Sequence, residues 1–388
     1  MNERLRPNPE ELKIAFVSAY PFGVNGGVQD NIRNSARILS EEFGQQVIIV
    51  TPRYGQGEET GNLIYLGQGR RVPFNFEGTT AIVGFPRAPK EEVKKVLEEH
   101  PDVFHLHEPE VSLPSLQLLS SSEAPLNVAT FHSVKKGVLI YYLFKILIPR
   151  YGPKLDARIA VSQAAQEFVS RYFPGEYQII PNGVDTSRFR PDIPKVERFK
   201  DGKLNILYVG RLEERKGVGH LIEAFARLRE GCSDSDIRLI IVGSGPLEGR
   251  LRKQVEVGKI ADVVFVGQVP SCDLPGYYRS ADICSFPSGH GESFGIVVLE
   301  AMASGKPVIA GDNSGYRQLV EHGHNGFLIT PTDYPQFAFH LEKLLDRETL
   351  RSQMGENGRR TAMNYDWKVV CQQLLDLYQT KLRDKKLI

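Results

Sequence analysis

A chain of 388 residues is long enough for two domains, each burying its own hydrophobic core. Its net charge of +1 at pH 7 excludes a global pull toward nucleic acid, so any basic surface must be local. Four scattered cysteines (Cys232, Cys272, Cys284, Cys371) make no CxxC pair and sit near no histidine cluster, which points to reduced thiols rather than disulfides or zinc.

The N-terminal MNERLRPNPEELK has no apolar centre, and no later apolar run reaches the roughly 20 residues that span a bilayer. A cytoplasmic protein without a spanning helix is expected. LKIAFVSAY (Leu12 to Tyr20) reads as a buried parallel strand. It runs into PFGVNGGVQ and then a helix with Val28, Ile32, Ala36, Leu39 and Phe43 on one face. Strand, glycine turn and helix in that order let a backbone approach phosphate at a helix start, although the spacing is not the GxGxxG fingerprint. Further strands follow at QVIIVTP, LIYLG, DVFHLHEP and NVATFHS. The alternation predicts an α/β fold with a doubly wound parallel sheet, whose ligands bind beyond the carboxyl ends of the strands. Gly26, Gly27, His107, Glu108 and His132 fall there, with His132 open to either a structural or a ligand-facing role.

The helix PKEEVKKVLEEH mixes Lys90, Lys94 and Lys95 with Glu91, Glu92, Glu98 and Glu99, as a solvated face does. KKGVLIYYLFKILIPRYGPK (135–154) has two readings. It is either a buried helix with basic ends, or an interfacial element with Lys135, Lys136, Lys145 and Arg150 near lipid headgroups and Tyr141 and Tyr142 beside them. ARIAVS, a helix and YQIIPNGVD close the first half, and Asn182-Gly183 marks the junction. Residues 1–182 and 183–366 are thus expected to form two Rossmann-like domains with a ligand cleft between facing strand ends.

The pattern restarts at KLNILYVGRLEERKGVGHLIEAFARL. Arg211 follows the strand directly and Lys216 precedes a helix, so the pair suits a diphosphate, with Arg215 as a third cation or plain surface. Gly243-Ser244-Gly245-Pro246 falls at the same sheet edge. Asp234-Ser235-Asp236 has the Asp-x-Asp form of a metal motif but precedes the strand IRLIIVG, away from that edge, so no metal is expected there. In GHGESFGIVVLEAMASGKPVIA, Glu292 lies in a loop and Glu300 about two turns into a helix. Between them the amides of Ser293, Phe294, Gly295 and Ile296 are expected to form an exposed helix start that attracts phosphate or sugar oxygens.

Taken together, RLEERKG, GESFGIVVLEAMASGKPVIA, IIPNGVD and GGVQ resemble the retaining family 4 glycosyltransferases of GT-B fold. FVSAYPFGVNGGVQ, FHLHEPEVSLPSL, VATFHS, ARIAVS and YDWKVV resemble the phosphatidylinositol mannosyltransferase branch, and the likeness covers nearly the whole chain. The resemblance implies that Arg211 and Lys216 hold the donor diphosphate, Glu292 the donor-sugar hydroxyls and Glu300 the nucleotide ribose. It implies that the Phe294-Gly295-Ile296 amides receive phosphate or sugar, with Gly243 on the same nucleotide-binding edge. Gly27 lets the N-terminal backbone close over the phosphates, His132 contacts the donor sugar and Gln29 lies near the acceptor. The helix after Tyr365-Asp366-Trp367, with Val370, Leu374, Leu377 and Tyr378 on one face, completes the N-terminal acceptor domain over 367–388; residues 183–366 form the donor domain.

The implied reaction retains anomeric configuration without metal or cofactor, uses GDP-mannose as donor and phosphatidylinositol as acceptor, and takes place on the inner face of the membrane through peripheral contact with anionic lipid. Ile82 in GTTAIVGF and Glu110 in HEPE depart from the branch's pattern, and Glu91 and Glu92 dilute its basic helix. A UDP-linked donor with another lipid or soluble acceptor is the alternative. A GT-B epimerase or phosphorylase is less favoured, the block from Glu292 to Glu300 arguing against an epimerase, and so is a non-catalytic sugar-nucleotide binder, because Arg211, Lys216 and Glu292 are all present.

Overall fold

The computed structural model describes residues 7–24, 26–55, 62–73, 80–133, 151–231 and 236–388. It divides into two compact units, Met1–Asn182 with Trp367–Ile388, and Gly183–Asp366.

Unit 1 is built on β1 (Lys13–Ser18), β2 (Gln46–Arg53), β3 (Leu63–Pro73), β4 (Thr80–Gly84), β5 (Val103–His107), β6 (Leu126–Phe131), β7 (Ala157–Ala160) and β8 (Gln178–Ile179). They lie in the order β4-β3-β2-β1-β5-β6-β7-β8. Side chains alternate across a strand, so the apolar run of β1 feeds both faces. Ile14 and Phe16 join one core with Ile32 and Leu39 of the helix Gly27–Glu41, while Ala15 and Val17 join another with Phe104, Leu106 and Phe131. The helix Trp367–Asp384 packs into the first of these cores through Trp367, Val370, Cys371, Leu374, Leu377 and Tyr378.

One expectation is corrected here. The strand LIYLG continues to Pro73, and β4 returns antiparallel to it, pairing Gly69 with Gly84 and Arg71 with Ile82. The other pairings in both sheets are parallel. The connection over 74–79 is too short for a parallel crossover, which needs a dozen or more residues. Ile82 therefore sits on an edge strand. Of the segment 135–154, only residues 151–154 are described, with Tyr151 buried and a 3-10 turn over Gly152–Lys154. Lys135, Lys136, Tyr141, Tyr142, Lys145 and Arg150 lie outside the described residues. Among those described, no helix is long and apolar enough to cross a membrane.

Unit 2 contains β9 (Leu204–Val209), β10 (Ile237–Val242), β11 (Val263–Gly267), β12 (Ile283–Phe286), β13 (Val308–Gly311) and β14 (Gly326–Ile329), in the order β11-β10-β9-β12-β13-β14. Alternation again feeds two cores. Leu207 and Ile240 meet Leu299 and Met302 on one face, and Tyr208 and Ile241 meet Phe225 and Leu341 on the other. The strand order changes direction between β9 and β12, the switch point at whose carboxyl edge sheets of this kind bind ligands.

The buried helix Trp367–Asp384 gives a direct test of packing. Leu374→Ala should destabilise unit 1 by about 2–5 kcal/mol, whereas Val369→Ala, on the exposed side of the same helix, should cost under about 0.5 kcal/mol. Trp367, the chain's one tryptophan, reports unfolding of this unit by fluorescence in urea. Equal midpoints for the two variants would contradict the assigned face.

Candidate active site

The carboxyl edge of unit 2 is assembled by glycines. Beyond β9, Gly210 donates its amide to the Val242 carbonyl at 3.0 Å, and Leu212 donates to that of Ser244 at 3.0 Å. The two loops approach so closely that a Cβ on Gly243, whose φ is +129°, would lie 1.9 Å from the Gly210 oxygen. Gly217, at φ +68°, turns the chain into the helix Val218–Gly231, and a Cβ there would lie 2.5 Å from the Pro287 oxygen. No side chain fits either place without moving backbone.

That closeness brings Lys216 and Glu292 together across 76 residues. Glu292 Oε1 accepts from Lys216 Nζ at 2.6 Å, from Arg215 Nη1 at 2.9 Å and from Ser288 Oγ at 2.7 Å. Glu292 and Lys216 are only 11% and 14% exposed. Burial by itself would raise the Glu292 pKa, but the charges of Lys216 and Arg215 outweigh it and hold the carboxyl below its ordinary range. Arg215 is thus part of the cluster, not plain surface. Arg211 points elsewhere: it is 70% exposed and pairs with Glu213 at 2.9 Å.

The expected helix start is corrected. The helix runs Ile296–Ala303 and is capped by Gly295 at φ +113°, so Ser293 and Phe294 precede it. Phe294 is buried against Tyr365, and a Cβ on Gly295 would lie 2.7 Å from the Tyr316 ring. The first-turn amides of Ile296 and Val297 remain at the helix start, because those of Val298 and Leu299 already reach the Gly295 carbonyl. Glu300, half-buried on this helix, accepts from the Tyr278 hydroxyl at 2.7 Å. Burial, with Glu300 beside it, pushes the Tyr278 pKa well up and keeps that hydroxyl a donor.

Asp236, the last residue of the Asp-x-Asp motif, precedes β10 whereas Gly243 follows it, which puts Asp236 at the opposite edge of the sheet. Asp234, Ser235 and Cys232 lie outside the described residues. No cluster of three or more His, Cys, Asp or Glu among the described residues could hold a metal.

In unit 1, Gly26 caps the helix that Gly27 begins. Gln29 is buried, and its Nε2 donates to the Pro21 carbonyl at 3.3 Å. A Cβ on Gly26 would meet its Oε1 at 2.5 Å. The structure brings His107, Glu108 and His132 together, as neighbours on β5 and just past β6. Glu108, buried and left-handed at φ +50°, accepts from the His132 amide, the Ser133 hydroxyl and the Tyr20 hydroxyl, each at 2.8 Å. His107 Nδ1 and His132 Nε2 share a hydrogen bond at 2.9 Å, with the rings stacked at 5.2 Å. His105 stacks on His107 at 4.4 Å and is held at 2.6 Å by both Thr130 and Tyr378. Burial is the first cause in all three: it lowers the His132 pKa to about 4, the His105 pKa to about 3 and that of His107 well below its ordinary value.

Sequence reasoning missed Tyr20, His105, Glu213, Ser288 and Tyr278 as site residues, and placed Tyr378 on a helix face without its polar partner. His105 carried a signal in the alternation of His105 and His107 on one strand face, and Glu213 in its place between Arg211 and Lys216. The partners of Tyr20 and Tyr378 lie 88 and 273 residues away, beyond any local pattern.

The histidine stack makes unit 1 sensitive to acid. A histidine whose pKa falls on folding stabilises the native state above its unfolded value, and that contribution is lost as the pH drops toward the folded one. Stability should therefore fall between about pH 6.5 and about 4. Trp367 fluorescence in urea at a series of pH values measures it. His107→Asn should flatten the decline, and parallel curves for the two proteins would refute this cause.

Comparison with known proteins gives a consistent neighbourhood. The family model described as Glycosyltransferase Family 4 matches residues 25–188, and that described as Glycosyl transferases group 1 matches residues 189–361. The phosphatidyl-myo-inositol mannosyltransferase of Mycobacterium leprae is 33% identical over 371 residues, covering 95% of this chain and 97% of that protein. The D-inositol 3-phosphate glycosyltransferase of Pseudarthrobacter chlorophenolicus is 32% identical over 389 residues, covering 92% and 90%. The crystal structure of Anabaena Alr3699/HepE in complex with UDP matches with a TM-score of 0.74 at 19% identity, over 95% of this chain and 100% of that one.

Proposed function

The chain belongs to the family 4 glycosyltransferases and has the GT-B fold, and on that premise we propose that it transfers mannose from GDP-mannose to the inositol ring of phosphatidylinositol. The donor half of this reading rests on the Lys216–Arg215–Glu292 cluster, a mostly buried and a half-buried cation held at a sheet edge beside glycines that admit close backbone approach. The acceptor half rests on the likeness to the M. leprae mannosyltransferase.

In this reading Arg211 and Lys216 hold the donor diphosphate. Glu292 takes the sugar hydroxyls and Glu300 the ribose, while the Phe294-Gly295-Ile296 backbone and Gly243 line the nucleotide edge. Gly27 and His132 serve the donor from unit 1, and Gln29 the acceptor. The bond between the anomeric carbon and the diphosphate oxygen breaks, and its electron pair leaves with the phosphate. The acceptor hydroxyl oxygen attacks the same face of the sugar, and its proton passes to the departing phosphate. Arg211, Lys216 and the helix start at Ile296 stabilise the charge that develops on the leaving oxygens. Side-chain cations do this work, so no metal or cofactor is required. The enzyme acts at the cytoplasmic membrane surface through weak contact with anionic lipid by Lys135, Lys136, Lys145 and Arg150.

A soluble inositol phosphate is the second reading for the acceptor. The likeness to the P. chlorophenolicus enzyme favours it, as do Ile82 and Glu110 in place of the mannosyltransferase pattern.

One assay separates these. GDP-mannose and UDP-linked sugars are offered with phosphatidylinositol vesicles or with inositol 3-phosphate, in EDTA, and vesicle sedimentation is measured alongside. Mannose transfer from GDP-mannose to the vesicles in EDTA, with sedimentation that weakens with salt, is expected. Transfer only to the soluble acceptor, or a requirement for added metal, would overturn the corresponding half. In the same assay Arg211→Ala and Lys216→Ala should each lower transfer at least about tenfold, because a charge-assisted contact of about 1.5–3 kcal/mol is lost. Near-wild-type rates for both would remove the diphosphate assignment.

A further inference from the structure

The cation cluster contains a carboxylate that the reading above leaves without a role. Glu213 lies on the turn between Arg211 and Lys216, with its side chain 19% exposed. Its Oε1 accepts from Arg211 Nη2 at 2.9 Å, and its Oε2 from Arg215 Nε at 3.2 Å. Its backbone is tied at both ends: the amide donates to the Arg211 carbonyl at 3.1 Å, and the carbonyl accepts from the Lys216 amide at 3.0 Å. The turn therefore keeps this carboxylate within reach of the cations.

The two ends of the Arg211–Glu213 pair are held unequally. Glu213 is mostly buried, whereas Arg211 is 70% exposed, and an exposed guanidinium gains little from such a pair. A diphosphate offers Arg211 more charge and a bidentate set of oxygens, so the exchange favours the ligand. Glu213 then remains as a mostly buried anion beside another anion, where repulsion is screened less than in bulk water.

We propose that Glu213 is an internal rival of the diphosphate: it holds Arg211 and Arg215 before the nucleotide arrives and weakens the hold on the nucleoside diphosphate product. This rests on the diphosphate reading of Arg211 and Lys216. Among the five side chains Arg211, Glu213, Arg215, Lys216 and Glu292, the cations exceed the carboxylates by one charge. Neutralising Glu213 makes that excess two and releases Arg211 without touching a residue assigned to the donor. Glu213→Gln keeps the shape, one acceptor oxygen and both backbone bonds, and Lys216 and Arg215 remain held by Glu292.

The test is calorimetric titration of GDP and UDP into the full chain as wild type, Glu213→Gln, Glu213→Ala and Arg211→Ala, each checked for a native thermal melt. Both Glu213 variants should bind the tighter-binding nucleotide about fivefold more tightly at low salt. The gain should shrink at about 1 M salt, where the screening length is about 3 Å. Equal or weaker binding by both variants, with Arg211→Ala still weakened, would show that Glu213 only orients the arginines and would overturn the proposal. Unchanged binding in Arg211→Ala would instead remove the diphosphate reading, and the proposal with it.

Discussion

Unit 2 is organised around the cost of keeping a carboxylate out of water. Glu292 is mostly buried, and an isolated charge at that depth would shed its ionisation. It stays ionised because Lys216, Arg215 and Ser288 all reach one of its oxygens. Those contacts require the loop after β9 to lie against the loop after β12. The approach in turn requires Gly217 under the Pro287 carbonyl and, on the other side, Gly243 under that of Gly210. The glycines, the cations and the acid are one device: remove the close approach and the charges lose their partners.

Unit 1 resolves a different tension. Three histidines lie in its interior, where imidazolium would be costly, and each is held neutral by burial. Stacking and hydrogen bonding take up most of their polar capacity. Tyr378 on the helix Trp367–Asp384 reaches His105, so the C-terminal segment is bonded into the same interior as β5 and β6. Glu108 adds an ionisable group that accepts three hydrogen bonds and fixes the backbone at His132. This corner is held together by polar groups that bond one another away from solvent.

Local chemistry made much of the fold legible. Short apolar runs, several ending in glycine and most of them followed by a helix-period pattern, gave strand and helix in alternation, because a doubly buried parallel strand has little choice but continuous apolarity. The antiparallel return of β4 was less legible, since its apolar residues look like those of any strand and only the short connection over 74–79 forbids a crossover. The start of the helix at Ile296 rather than Ser293 turned on the left-handed conformation of Gly295, at a place where the Tyr316 ring leaves no room for a Cβ.

By itself the sequence determined the alternating α/β architecture, the family likeness and the residue types at the carboxyl edges of the strands, all of which reside in local patterns of apolarity, glycine and charge. Only the tertiary structure decided the partners. Arg215 turns inward to Glu292 while Arg211 turns outward to Glu213, although the two arginines are four residues apart in the same loop. His105, marked in the sequence by no more than its alternation with His107, is tied to a tyrosine 273 residues away. The reason is common to both: a charge or a ring nitrogen is assigned its role by whatever surrounds it after burial, and those surroundings come from segments far apart in the chain.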